Sequence, residues 1–277
     1  MQIVLGIDVG GSTTKIVGYT SNGERVGMMQ VNATDQVTSA YGAFGKFISA
    51  TGFRISDVSK ITVTGVGAAY LGPGIYEIPT KRVDEFITIG LGGLALAGLD
   101  EAIVVSMGTG TPIVKASAGK IKHLGGSGVG GGTLLNLCGR FAGANSIETI
   151  TAMAAQGDLS RVDLTIADIS KENIGSMPPY TTVSNFGNFS DSATNADIVL
   201  GILNMIFESI GMMAIFAALN DPVRDIVLTG SLTTIPQASR VFETLQTLHP
   251  VRFHIPTDAI YATAVGAALS EIQKFEI

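Results

Sequence analysis

Two stretches of this chain follow one plan, and that repetition constrains the fold more than any other feature. Residues 7–26 read IDVGGSTTKIVGYTSNGERV and residues 105–124 read VSMGTGTPIVKASAGKIKHL. Each is a short apolar run, a turn rich in glycine and hydroxyl side chains, a second run, a turn of small residues and a third run. Short apolar runs punctuated by Gly and Asn-Gly signal β-hairpins, and a repeated unit of this kind signals a duplicated architecture. The pattern predicts strands over 3–8, 14–19 and 25–31, and again over 102–106, 111–116 and 120–124, the last two joined by the turn Ser117-Ala118-Gly119.

Helical patterns fall between and after these units. They are expected over 37–51 and 86–99, then 132–142, 146–156, 198–219, 235–248 and 261–275, with further strands over 60–64, 225–229 and 251–254. Strands alternating with helices make an α/β protein. The chain divides into a first domain over 1–100 and a second over 101–260, which carries a loop-rich insert at 158–195. The closing segment, 261–277, is available to pack back on the first domain. Two similar mixed-sheet domains face to face leave a cleft between two glycine-turned hairpins.

Composition narrows the partners. The net charge is −6 and no run of basic residues occurs, so the footprint of a nucleic-acid binder is missing and a small-molecule partner is expected. One cysteine, Cys138, allows no intrachain disulfide, which fits a reducing, cytoplasmic setting. The opening MQIVLGIDVGG lacks the basic start of a signal peptide and reads as a buried strand. Residues 198–219 are apolar except for Asn204, Glu208, Ser209 and two glycines, long enough to span a bilayer. Glu208 would sit mid-span and Asp197 and Asp221 flank the run, so a core or subunit-interface helix is expected, with no membrane partner and with homodimerisation as a corollary.

Four motifs carry chemistry. In the first, Asp8-Val9-Gly10-Gly11-Ser12-Thr13-Thr14-Lys15, glycines let successive backbone N–H groups converge on an anion and hydroxyls add donors. Asp8 can hold Mg²⁺ directly or through water, and Lys15 offers a point charge for phosphate. The same residues also describe an ordinary tight turn, and they are no P-loop, since no GxxxxGK[ST] precedes a helix. The second motif, Gly108-Thr109-Gly110, sits at the same place in the second repeat, and the pair favours a two-hairpin phosphate clamp. The third runs from Gly125 through Gly130, Gly131, Gly132 and Thr133 into an apolar helix; it is either a linker or a helix start presenting free N–H groups to an anion. The fourth, Thr229-Gly230-Ser231, ends a strand with small residues against which an adenosine can lie.

These four elements, in this order, resemble the actin-like (ribonuclease H-like) ATPase superfamily of kinases and sugar kinases. The chain is more similar still to type II pantothenate kinases, through IDVGGSTTKIVG, VDEF, MGTGT, LGGSGVGGGT, TAMAAQGD with VDLTIADI, TVSNFG and IVLTGS. The resemblance implies the duplicated actin-like fold, ATP and Mg²⁺ as cofactors, and pantothenate or a similar small alcohol as substrate. It places Glu85 as the catalytic carboxylate that takes the proton from the attacking hydroxyl, and Glu85, Thr109 and His123 at the substrate. On residues alone Asp84 and Glu85 are merely an acidic pair at a helix start.

One position departs from the family pattern. Where the family has an Arg before the glycine loop, this chain has His123, which lacks the planar fork and permanent charge of Arg. A kinase of another small alcohol and a non-catalytic nucleotide-binding regulator therefore remain alternatives. The activators of 2-hydroxyacyl-CoA dehydratases also resemble this scaffold, but their iron–sulfur cluster takes two cysteines per subunit, and Cys138 stands alone.

Overall fold

The computed structural model describes every residue except Thr34, Ala118, Glu172, Asn173, Gly175, Ser176 and 274–277. Part of the expected turn at Ala118, part of the insert and the end of the closing helix thus lie outside the described residues. The first repeat forms β1 (Ile3–Val9), β2 (Thr13–Thr20) and β3 (Arg25–Asn32), followed by α1 (Gln36–Thr51) and β4 (Val58–Thr64). A small hairpin, β5 (Gly74–Ile75) and β6 (Ile78–Arg82), leads into α2 (Glu85–Ala97). The second repeat forms β7 (Glu101–Ser106), β8 (Thr111–Ser117) and β9 (Lys120–Ser127), then α3 (Gly131–Ala142) and α4 (Ile147–Ala154). The insert holds β10 (Leu164–Thr165), α5 (Ile166–Ile169) and β11 (Thr182–Ser184). The chain continues with α6 (Asn195–Leu219), β12 (Asp225–Thr229), α7 (Pro236–Leu248), β13 (Arg252–His254) and α8 (Ala262–Ile272).

The strands make one six-stranded sheet, β3-β2-β1-β4-β6-β5, and one five-stranded sheet, β13-β12-β7-β8-β9. In each, the repeat's first strand pairs antiparallel with its hairpin partner on one side and parallel with a later strand on the other. The β5–β6 hairpin was not expected from the sequence. Its turn residues, Tyr76 and Glu77, have φ of 48° and 65° without a glycine, so the usual turn signal is missing; Tyr76 instead packs its ring against Tyr41 and Phe44 of α1. Strand β9 also runs past 124, because Gly125, Gly126 and Ser127 pair with Ile113, Pro112 and Thr111.

Alternation along the strands buries both faces of each sheet. On the six-stranded sheet one face packs Ile7, Ile16 and Val63 against Phe44 and Phe47 of α1, and the other packs Val17 and Tyr19 against Ala264, Val265 and Ala268 of α8. On the five-stranded sheet one face meets α3, α4, α6 and α7, and the other packs Val104, Val114 and Ala116 against Ile89 and Leu94 of α2. The helices are exchanged between the halves: α2, from the first half of the sequence, covers the second sheet, while α8 covers the first. The two helices pack on each other, making a shared middle layer.

Helix α6 is long and apolar enough to cross a membrane by length and composition, but most of its apolar stretch is buried inside the chain. The polar residues that interrupt it anchor the insert. Asn204, 6% exposed, donates through Nδ2 to Asp163 (2.9 Å), which also accepts from the Phe186 N–H (2.8 Å), and Asn185 Nδ2 donates to Glu208 (2.9 Å). The VDLTIADI and TVSNFG stretches thus meet on one helix.

The crossing of α2 and α8 depends on glycine. A Cβ on Gly92 would lie 1.7 Å from the Ala262 carbonyl oxygen, and one on Gly266 would lie 1.9 Å from that of Thr88. Backbone cannot yield as a flexible side chain would, so Gly266→Ala is expected to destabilise the fold by about 2–3 kcal/mol or more, as overpacking does. Gly42→Ala, on α1 with open space around it, is expected to stabilise by about 0.5–1 kcal/mol through helix propensity. Urea unfolding of both variants checks the contrast; equal midpoints would show that the crossing is not tight.

Candidate active site

The inner faces of the two sheets carry the polar residues to one end of the middle layer. On β1, Gly6 faces α8 and Asp8, two residues on, shares that side. Lys15 lies opposite Asp8 across the hairpin, is 7% exposed, and donates through Nζ to Thr13 Oγ1 (2.9 Å). The turn closes by a bond from the Gly10 N–H to the Thr13 carbonyl (3.1 Å), leaving Gly11 and Ser12 exposed at the tip. Thr14 is different. Its buried hydroxyl bonds Ser39 Oγ of α1 (2.8 Å) and faces away from the middle layer.

Glu85 is the first residue of α2. Asp84 caps the helix, accepting from the N–H groups of Phe86 (2.9 Å) and Ile87 (3.3 Å). Thr88 Oγ1 donates to the Glu85 carbonyl (2.9 Å) and meets Thr64 Oγ1 (3.2 Å), and Thr64 is the β4 partner of Asp8. The Glu85 carboxylate has no hydrogen-bond or salt-bridge partner among the described residues. Burial, with the charges of Asp8 and Asp84, pushes it above the ordinary carboxylate range. Burial also raises Asp8, partly offset by the Lys15 ammonium.

The second hairpin, the glycine loop and the late strand end form a second cluster. The Gly131 N–H donates to the Gly108 carbonyl (2.8 Å) and the Gly132 N–H to that of Thr109 (3.0 Å). Those first-turn N–H groups of α3 are therefore engaged by the hairpin, where the sequence predicted free donors; the loop braces Gly108, Thr109 and Gly110 from behind. Gly130 completes the brace, its N–H pointing at Thr133 Oγ1 (3.4 Å), while that hydroxyl donates to the Gly128 carbonyl (3.0 Å). Gly230, at φ 89°, abuts Met107, and the Leu232 N–H donates to the Met107 carbonyl (3.1 Å), setting Ser231 beside this turn.

His123 lies on β9 opposite Val114, on the face turned toward α2. Its ring stacks on Phe86, with centroids 3.9 Å apart and planes within 10°. Helix α2 thus joins the clusters: Glu85 feels Asp8 of the first hairpin, and the next residue touches His123 of the second sheet. Among the described residues no three His, Cys, Asp or Glu side chains are arranged so that they could hold a metal ion by themselves. Asp8, half-buried and incompletely balanced by Lys15, suits a cation held mostly by phosphate oxygens and water, the usual habit of Mg²⁺.

The family model described as Fumble matches residues 101–248, more than half of the chain. The chain belongs to the Fumble family. A type II pantothenate kinase of Staphylococcus haemolyticus is 25% identical over 272 residues, covering 95% of this chain and 98% of the relative. The activator of the 2-hydroxyisocaproyl-CoA dehydratase from Clostridium difficile, with bound ADPNP, aligns at a TM-score of 0.70 with 15% identity over 99% of this chain and 96% of that one. A ROK family glucokinase from Streptomyces griseus, in complex with glucose and AMPPNP, aligns at 0.63 with 12% identity over 96% and 98%. The fold of this Fumble-family chain is the duplicated actin-like ATPase fold.

Sequence reasoning missed Gly65. It directly follows β4 at φ 85°, and a Cβ there would sit 2.5 Å from Asp8 Oδ1. The signal was present: KITVTG at 60–65 and DIVLTG at 225–230 are a further pair of the internal repeat, with Gly65 and Gly230 in matching backbone conformations. Thr64, Thr88 and Phe86 were missed as well.

The raised pKa of Glu85 means that folding penalises its ionised form. That penalty is absent below the ordinary carboxylate value, about 4.3, and complete once the pH has risen past the higher folded value. Glu85→Gln is therefore expected to be more stable than wild type at pH 8, with the difference closing toward pH 4. Thermal melts of nucleotide-free protein check this; a variant no more stable than wild type at pH 8 would refute it.

Proposed function

We propose that this chain transfers the γ-phosphoryl group of ATP to the primary hydroxyl of pantothenate, giving 4′-phosphopantothenate, the first step of coenzyme A biosynthesis. The observation that carries this is an unpartnered, raised carboxylate, Glu85, at the head of the helix that links the first hairpin to His123. Its position at a helix start beside Asp8 supports a base role, and a raised pKa brings a carboxylate toward the range in which it accepts protons effectively near neutrality. The family membership supports the substrate.

In this mechanism Gly10, Gly11, Ser12, Thr13 and Lys15 hold the phosphates from one side, and Gly108, Thr109 and Gly110 from the other. Gly130, Gly131, Gly132 and Thr133 brace the second grip, Thr14 braces the first, and Gly230 with Ser231 lets adenosine lie against backbone. Asp8 would hold Mg²⁺, directly or through water, and the ion when bound neutralises charge on the phosphate oxygens. Glu85 takes the hydroxyl proton as the alcohol oxygen bonds the γ-phosphorus. The bond from that phosphorus to the bridging oxygen breaks, and ADP leaves with the electron pair. Thr109 and His123 contact the alcohol.

Two lobes divided near residue 100 give the nucleotide its cleft. The exposed apolar side chains Phe141 and Phe189, beside the first half of α6, and Phe216 and Leu219, toward its end, support a homodimer; sedimentation equilibrium at one chain mass would remove that part. A cytoplasmic setting, with neither membrane nor nucleic acid as partner, fits the substrate.

A coupled ADP-release assay tests the reaction. Wild type is expected to turn over with Mg-ATP and pantothenate, and Glu85→Gln to keep its ATP-induced thermal shift while losing about two to four powers of ten in turnover. ATP binding without pantothenate-dependent turnover would overturn the assignment. His123 in place of the family Arg favours a second reading, a kinase of another small alcohol; turnover with such an alcohol, and no gain with pantothenate from His123→Arg, would establish it instead.

A further inference from the structure

We propose that Phe86 is a positioning residue for the acceptor alcohol, acting through His123; this deepens the phosphotransfer reading above and rests on it. In the family pattern this position carries an Arg; here it carries an imidazole, on a strand residue that is itself exposed. An exposed histidine would ordinarily lose side-chain entropy whenever it bound a ligand. Here one face of the ring is already covered by Phe86, nearly parallel and at 3.9 Å between centroids. Neither ring nitrogen has a hydrogen-bond or salt-bridge partner among the described residues. The ring is fixed while its in-plane polar atoms stay unused, the state expected of a group kept ready for a ligand.

Two further features fix the stack itself. Phe86 is held from the backbone side, since its N–H is bonded by the Asp84 cap, and its ring belongs to the cluster that packs Ile121, Val114 and Val104 of the second sheet. His123 is held by its register with Val114, one residue before β9 bulges at Leu124 and pairing resumes at Gly125. A bulge at this point lets the strand leave the α2 face directly after His123. Phe86 also directly follows Glu85. One helical turn therefore sets both the carboxylate that receives the proton and, through the stack, the group that orients the alcohol.

Phe86→Leu keeps apolar volume against the sheet and removes the aromatic face, so it tests the stack without emptying the site. Its expected effect is a rise of about three- to tenfold in the KM for pantothenate, the scale of a lost aromatic pair, with the KM for ATP unchanged. Phe86→Tyr should behave as wild type. In a His123→Ala background, Phe86→Leu should add nothing further. The chain has three histidines, so the His123 ring protons are assignable by NMR, and they should lie upfield in wild type and move to ordinary positions in Phe86→Leu. An unchanged pantothenate KM, an effect that persists without His123, or unshifted His123 protons in wild type would each overturn the proposal. Absence of pantothenate turnover in wild type would overturn the reaction reading, and the role of Phe86 with it, whatever the NMR shows.

Discussion

The crossing of α2 and α8 is the constraint on which the rest of the molecule depends. Two helices approach until the carbonyl of one occupies the space a side chain would need on the other, at Gly92 and at Gly266. Contact this close gives dense dispersion attraction along the shared backbone surface. It also fixes the rotation of each helix, because any turn brings a larger residue into the crossing. Each helix then presents its remaining faces to a sheet, α2 to the second and α8 to the first. The direction of Glu85, one helical turn before Thr88, follows from that fixed rotation.

The site at the end of this layer sits uneasily in electrostatic terms. Asp8, Asp84 and Glu85 are acidic and close enough for their charges to act on Glu85, and the nearby cation, Lys15, is already bonded to Thr13. The helix start of α2 supplies some positive potential, and Asp84 uses it as a cap. Accumulated negative charge of this kind lowers stability in the empty protein; in the proposed reaction a cation and phosphates would offset it. Functional sites commonly carry such local costs, borne by a well-packed remainder.

Much of this was legible because the decisive signals are local. Glycine turns mark the two hairpins within a dozen residues each, and the repeat declares that they belong together. The duplicated α/β fold follows from that. The same logic, carried further, would have exposed Gly65, since its TG pair follows a strand as the pair at Gly230 does. What stayed hidden is non-local. No residue of α2 announces that it will cover the other half's sheet, and an amphipathic reading of 86–99 finds no polar face because Thr88 to Leu94 are buried all round the helix. The N–H groups at the start of α3 looked free since their partners, Gly108 and Thr109, lie more than twenty residues away in sequence. The stack of Phe86 on His123 joins residues of two different halves of the chain, and nothing local to either announces the contact.

The exchange of helices has a consequence for biosynthesis. The six-stranded sheet can bury one face against α1 once β4 to β6 have emerged, but its other face, with Val17 and Tyr19, waits for Ala264, Val265 and Ala268. Those residues leave the ribosome after every other described element. A half-finished chain therefore carries one sheet with a bare apolar side throughout most of translation, and a β surface exposed for so long invites misassociation. That exposure lasts until α8 is made and covers the sheet.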